Sequence, residues 1–83
     1  MSRRDLAHVL TALSDLAAGR AGVGVSVADV DEAIGRARGD MRTPLNLDSL
    51  AADGLAEPLD DGRWALTPAG VERHRQDEDY ESR

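Results

Sequence analysis

The chain has 83 residues, of which 41% are hydrophobic, with one Trp, one Tyr and no Phe, so a single small core must be built from aliphatic side chains. The absence of Cys excludes disulfides and thiolate metal sites, and a core of this size supplies only ~3–5 kcal/mol unless another feature, such as dimerisation, supports it. No apolar stretch approaches the ~18 residues of a membrane span, which predicts a cytoplasmic protein without a membrane partner. The few catalytic residue types argue against an enzyme, and we expect no cofactor.

The net charge of −6 comes from sixteen acids and ten basic residues, all of which are Arg. Residues 43–83 contain ten of the acids but only four Arg, so this half carries the entire net charge. Binding to nucleic acid usually relies on a basic patch, so the charge argues against DNA as a partner. Adaptation to a salt-rich cell, or a high-GC genome, would also favour acids and Arg over Lys, and the sequence does not separate these explanations.

A first helix is predicted over residues 3–18, where Leu6 begins an apolar stripe at helical spacing. The glycines at 19–24 end this helix. Within them, Val23 and Val25 alternate with small residues, which predicts one short strand.

Two further helices follow the glycine-rich segment. One is predicted over residues 27–38, with Ser26 as its N-cap and Gly39 as the glycine just past its end. The other, helix 3, is predicted over residues 44–53, because Thr43 followed by proline is a typical helix start.

The hydrophobic period then changes from helical to alternating over residues 55–66, which predicts a β-hairpin around the turn at 60–62. Pro58 cannot donate a ladder hydrogen bond, so its strand should lie at a sheet edge. Trp64 is expected to anchor the hairpin on the helices, since it is the large aromatic available to the core.

A fourth helix is predicted over residues 68–76, again from a threonine-proline start. Residues 77–83 are acidic and are predicted to form a solvated, flexible tail, so the folded domain should span 1–76. Helix, short strand, two helices, hairpin and terminal helix is the element order of a winged helix-turn-helix, which predicts an α+β, mainly α, fold.

The segment from Gly54 to Gly70, GLAEPLDDGRWALTPAG, resembles the wing and following helix start of PadR-like and MarR-like regulators and of haloarchaeal repressor-like winged helices. A "GL", a turn and an aromatic-x-LTxxG run recur in those proteins. The resemblance implies a transcriptional regulator that binds double-stranded DNA, with helix 3 in the major groove and the hairpin wing on the backbone or in the minor groove.

Helix 3 supplies the candidate base contacts. The inward face is predicted to contain Leu47, Leu50 and Ala51. This directs Leu45, Ser49 and Ala52 outward, and the flanking residues are Asn46, Asp48 and Asp53. Asn and Ser can hydrogen-bond base edges, and Leu45 could contact a thymine methyl. The Arg residues beside the helix and at the wing tip are candidate phosphate contacts, although an Arg in a hairpin turn is also commonly just solvated. The predicted DNA-binding residues are Arg36, Arg38, Arg42, Thr43, Asn46, Ser49 and Arg63.

Other functional classes find less support. His8 and His74 are interpreted as surface residues, and no metal site is expected. A rival hypothesis is a winged-helix interaction module that does not bind DNA and contacts a protein through the outer face of helix 3 or through the acidic C-terminal half. The charge of helix 3, which contains Asp48 and Asp53, favours this rival.

A homodimer is also predicted, because a single winged helix reads only a short half-site. Helices 1 and 4 flank the recognition unit and are free to pair. The suggested contact points are Ala12, Ala17, Ala18 and Val71.

Overall fold

The computed structural model describes residues 3–81, with side chains through residue 78. These residues form a mainly helical α+β domain, in the element order that the sequence predicts. The elements are α1 (Arg3–Leu16), α2 (Val27–Ala33), α3 (Arg42–Ala52), β1 (Ala56–Pro58), β2 (Trp64–Leu66) and α4 (Pro68–Glu81). None of the helices in this described part of the chain is both long and apolar enough to cross a bilayer.

The two strands pair antiparallel, with Pro58 opposite Trp64. On the other side of β2, Val25 exchanges both backbone hydrogen bonds with Trp64, at N···O distances of 2.7 and 2.8 Å. The predicted short strand is therefore present as an isolated bridge that places β2 between Val25 and β1. The prediction that Pro58 lies on an edge strand is confirmed.

A three-residue loop closes the hairpin. Leu59 N–H donates to Arg63 C=O at 2.7 Å, and Gly62 N–H donates to Leu59 C=O at 3.1 Å. Gly62 has φ +85°, the left-handed conformation that the last residue of such a loop needs and that glycine adopts without strain.

Aliphatic side chains from all the helices of the N-terminal half meet β2 in one core. The stripe that begins at Leu6, leucines 47 and 50, and Trp64 belong to it, as the sequence predicts. Val9, Leu10, Leu13, Val30, Leu47, Leu50, Leu55 and Leu66 are buried, and Leu6, Ile34 and Trp64 are half-buried against them. Each fully buried aliphatic side chain contributes about 1.5–3 kcal/mol of transfer free energy, which is what holds the helices around the hairpin.

The helix ends differ from the prediction because left-handed residues come earlier than expected. Helix α2 ends at Ala33 rather than at 38, since Gly35, with φ +77°, is the residue just past its end in place of Gly39. Arg36 N–H donates to Asp31 C=O at 2.8 Å, which completes a Schellman motif. Helix α1 ends in the same way two residues early, with Ala18 at φ +54°.

Helix α3 starts at Arg42, so Thr43 is inside its first turn and is not the N-cap that the sequence predicts. The Asp40 carboxylate accepts the Arg42 backbone N–H at 2.9 Å and so satisfies one of the donors at this helix start. Thr43 is fully buried, and its hydroxyl is used elsewhere, as described below.

Helix α4 is fixed at its start by Thr67. The Thr67 hydroxyl accepts the Gly70 N–H at 3.0 Å and donates to Gly54 C=O at 2.6 Å. A Cβ on Gly70 would overlap the Leu55 carbonyl oxygen, so only glycine permits this approach of α4 to the α3–β1 turn. The helix continues to Glu81, past the end that the sequence predicts at residue 76. Residues 82 and 83 of the predicted tail lie outside the described residues.

Candidate nucleic-acid interface

The outer face of α3 is apolar and acidic. Leu45 is 53% exposed, as predicted, and Met41, immediately before the helix, is 73% exposed. Asp48 and Asp53 are exposed as well, while Ser49 is half-buried. This face can make van der Waals contacts with a partner, but its charged side chains repel phosphate.

Asn46 does not lie on that face, and the expectation that it points outward is wrong. Its side chain is 1% exposed, and its Oδ1 accepts a hydrogen bond of 2.9 Å from Arg36 Nη1. The same Nη1 donates to Thr43 Oγ1 at 3.0 Å. Thr43 and Asn46 therefore act as buried acceptors inside the domain.

Arg36 is likewise an internal residue and not the surface cation that the sequence suggests. Its side chain is only 8% exposed, and Nη2 lies 3.6 Å from Asp5 Oδ1 on α1. The guanidinium thus connects α1, the α2–α3 turn and α3. Hydrogen bonds are directional, so these contacts fix the rotation of α3 about its axis in a way that aliphatic contacts alone do not.

Asp31, which the sequence analysis does not single out, supports the same turn. It is fully buried, and its Oδ2 accepts the Gly39 N–H at 3.2 Å. Its Oδ1 has no hydrogen-bond partner among the described residues. One signal for this arrangement is present in the sequence: Gly35 directly follows the apolar stripe of α2 and is an earlier helix stop than Gly39.

Arg42 is exposed at the start of α3, but the carboxylate of Asp40 holds its guanidinium. Asp40 Oδ2 accepts from Arg42 Nη2 at 2.7 Å, and Oδ1 accepts from Nε at 3.1 Å. The side-chain hydrogen bond from Arg42, followed by the Arg42 backbone N–H, lowers the pKa of Asp40 from 3.8 to about 2. The same contact raises the pKa of Arg42, so the pair remains ionised near neutral pH.

Arg63 at the hairpin tip is held in the same way by Asp61. Asp61 Oδ2 accepts from Arg63 Nε at 2.7 Å, and Oδ1 accepts the Arg63 backbone N–H at 3.1 Å. The side-chain hydrogen bond from Arg63 is the main reason that the pKa of Asp61 is lowered. The Arg63 side chain lies over Gly24, where an added Cβ would be 3.2 Å from the guanidinium carbon.

Arg38, in the α2–α3 turn, is 73% exposed at its side chain and pairs with Glu32 at 3.5 Å. Arg38, Arg42 and Arg63 therefore all reach solvent, and each has a carboxylate of its own segment beside it. Of the seven predicted residues, the structure brings Arg36, Thr43 and Asn46 into contact inside the domain. It places Arg38, Arg42 and Arg63 at the surface and leaves Ser49 half-buried.

A groove of about 650 Å³ lies between α1 and α4, with Leu6, Leu10 and Leu50 in its lining. His74 also lines it and is 8% exposed, so the interpretation of this histidine as a surface residue is wrong. Its Nε2 lies 3.7 Å from Glu78 Oε1. Across the described residues, no three His, Asp or Glu side chains are grouped as metal ligands would be.

Comparison of the chain with protein-family models, with curated proteins and with solved structures finds no match.

Proposed function

We propose that the protein is a small winged-helix transcriptional regulator that binds double-stranded DNA through α3 and the hairpin. The observation that carries the proposal is the placement of exposed arginines on both elements: Arg42 begins α3 and Arg63 stands at the hairpin tip. In a winged helix these are the recognition helix and the wing. The bridge from Val25 to β2 supports the layout, because it gives the hairpin a third strand next to the helices.

The exposed arginines and the outer face of α3 have different roles in binding. Arg42 and Arg63 contact phosphates, which position the protein, while Leu45 and Ser49 contact base edges. Asn46 contributes by holding α3 in place through Arg36. Since the chain carries −6 overall, long-range attraction does not assist, and affinity depends on these few local contacts.

The test is a fluorescence anisotropy titration of random duplex DNA at low and at high salt. Each phosphate contact adds about −0.9 to the slope of log affinity against log salt, so a dimer that uses Arg42 and Arg63 should show a slope no steeper than about −4. The double variant Arg42→Gln/Arg63→Gln should bind all sequences more weakly. Its matched control, Arg4→Gln/Arg20→Gln, removes the same charge elsewhere and should bind nearly as well as the wild type. If the wild type binds no duplex at low salt, the proposal is wrong.

A homodimer belongs to this proposal, because two winged helices are needed to span a symmetric site. The suggested contact points Ala12 and Ala17 are buried in the core of their own subunit, at 5% and 2% exposed, and are not available. Of the other two suggested points, Ala18 is exposed and Val71 is half-buried. The groove between α1 and α4 is a further surface with apolar lining on these helices. Light scattering at high micromolar concentration should give the mass of a dimer, and the mass of a monomer would remove this part of the proposal.

The second candidate function is a protein-interaction module, and the exposure of Met41 and Leu45 favours it. Two large apolar side chains beside arginines whose charge is already neutralised suit a protein surface better than a phosphate backbone. This candidate predicts that the wild type does not bind duplex even at low salt. It also predicts that Leu45→Gln changes partner binding while leaving the stability of the domain intact.

A further inference from the structure

Two Asp-x-Arg segments, Asp40–Arg42 and Asp61–Arg63, have the same local geometry, and we refer to them as the aspartate clasps. In each, one Asp oxygen accepts the Arg backbone N–H, at 2.9 Å and 3.1 Å respectively. In each, the carboxylate also accepts from Nε and lies 2.7 Å from Nη2. The clasps occur at the start of α3 and at the hairpin tip, the two places at which a phosphate contact is proposed.

Other exposed arginines of this chain do not have the geometry of the clasps. Arg4 and Arg20 are also exposed, and neither lies within ion-pair distance of a carboxylate among the described residues. Arg36 donates from Nη1 to two neutral oxygens, and its contact with a carboxylate, that of Asp5, is longer at 3.6 Å. The two-residue Asp-to-Arg spacing with a shared backbone hydrogen bond is therefore specific to the candidate contact points.

A clasped guanidinium has little net charge to offer a phosphate. To contact DNA, Arg42 or Arg63 must exchange its carboxylate for a phosphate oxygen, and the released Asp then remains close to the same phosphate and repels it. Such an exchange releases few counterions from the DNA, because the guanidinium charge was already neutralised within the protein.

We propose that Asp40 and Asp61 compete with the DNA backbone for Arg42 and Arg63 and thereby limit sequence-independent binding. The inference rests on the proposed DNA-binding function and identifies residues that regulate it. Its consequence is that the wild type binds random duplex weakly and binds tightly only where α3 adds favourable contacts with the bases. The lowered pKa of Asp40 and Asp61 keeps both competitors ionised throughout the physiological range.

The experiment compares the double variant Asp40→Asn/Asp61→Asn with the wild type in the same anisotropy titration. An Asn side-chain oxygen can still accept the Arg backbone N–H, so both turns keep their geometry while the competing charge is lost. The matched control is Asp53→Asn/Asp60→Asn, which removes two charges from the far end of α3 and from the same hairpin turn. Thermal unfolding of all three proteins checks that the fold is unchanged.

We expect the clasp variant to bind random duplex at low salt more tightly than the control variant, by up to about fivefold for each exposed ion pair that is removed. Its salt slope should approach the value of about −4 given above, while the wild-type slope is shallower. If the wild type binds but the clasp variant binds no more tightly than the control, the clasps do not limit affinity and this inference is wrong. If neither the wild type nor the clasp variant binds duplex, the proposed function itself fails.

Discussion

Replacement of Gly70 by Ala tests how α4 is placed, because local propensity and tertiary structure predict opposite signs. In an exposed helix, Gly→Ala stabilises by about 0.5–1 kcal/mol. Here the new Cβ would overlap the Leu55 carbonyl oxygen and lie 3.1 Å from Leu66 Cδ2. The oxygen cannot turn away without loss, since it accepts the Thr67 N–H at 3.2 Å.

Helix α4 must therefore move away from the α3–β1 turn. Overpacking of this kind costs about 1–3 kcal/mol, and each lost Thr67 hydrogen bond adds about 0.5–1.5 kcal/mol. We expect Gly70→Ala to lower the free energy of unfolding by about 3 kcal/mol in a urea titration followed by circular dichroism. Ala69→Gly, on the exposed side of the same turn, is the control and should lose only about 0.5–1 kcal/mol. A Gly70→Ala protein as stable as the wild type would refute the close contact between α4 and the Leu55 carbonyl.

Three other substitutions test separate parts of the structure. Ala18→Gly should raise the free energy of unfolding by about 0.5–1 kcal/mol in urea, because Ala18 is in the left-handed region, and an unchanged or lower value would contradict that conformation. Arg36→Met leaves its buried acceptors unpaired and should destabilise by about 3 kcal/mol, whereas a wild-type melting temperature would exclude a role in fixing α3. Arg42→Gln should raise the pKa of Asp40 from about 2 towards 3.8 in a carboxyl NMR titration. The stability that this pair adds in the wild type should be present above about pH 4 and lost as the pH falls towards 2. An unchanged pKa of Asp40 in the variant would refute the clasp.

The core and the element order were predictable because they depend on periodicity. The aliphatic stripes of α1 and α2, and the alternation around Trp64, each leave one reasonable inward direction. The edge position of Pro58 followed from its missing donor alone.

The inward direction of α3 is also present in the sequence, but the predicted inward face of Leu47, Leu50 and Ala51 omits its polar members. Thr43, Asn46, Leu47 and Leu50 are spaced i, i+3, i+4 and i+7, which is a complete helical stripe. All four are buried in the structure. Two polar members at core positions concealed the pattern, because Thr and Asn are ordinarily assigned to the surface or to caps.

Arg36, the hydrogen-bond partner of the two polar members of that stripe, could not be predicted in the same way. Arg36 reaches Asn46 only because α2 stops at Gly35 and the chain turns back. Two glycines could each have ended α2, and local pattern does not choose between them. The tertiary contact, in this case the burial of Asp31 and its bond to the Gly39 N–H, decides the outcome.

The polar contacts at α3 link the fold to the surface that is offered to a partner. If the helix were rotated so that Asn46 faced solvent, Leu45 on its other side would turn towards the interior. The hydrogen bonds from Arg36 to Thr43 and Asn46 exclude that rotation and keep Leu45 outside. The apolar character of the outer face is thus a consequence of a buried arginine, and any change at Arg36 alters both the stability of the domain and the chemistry that α3 presents.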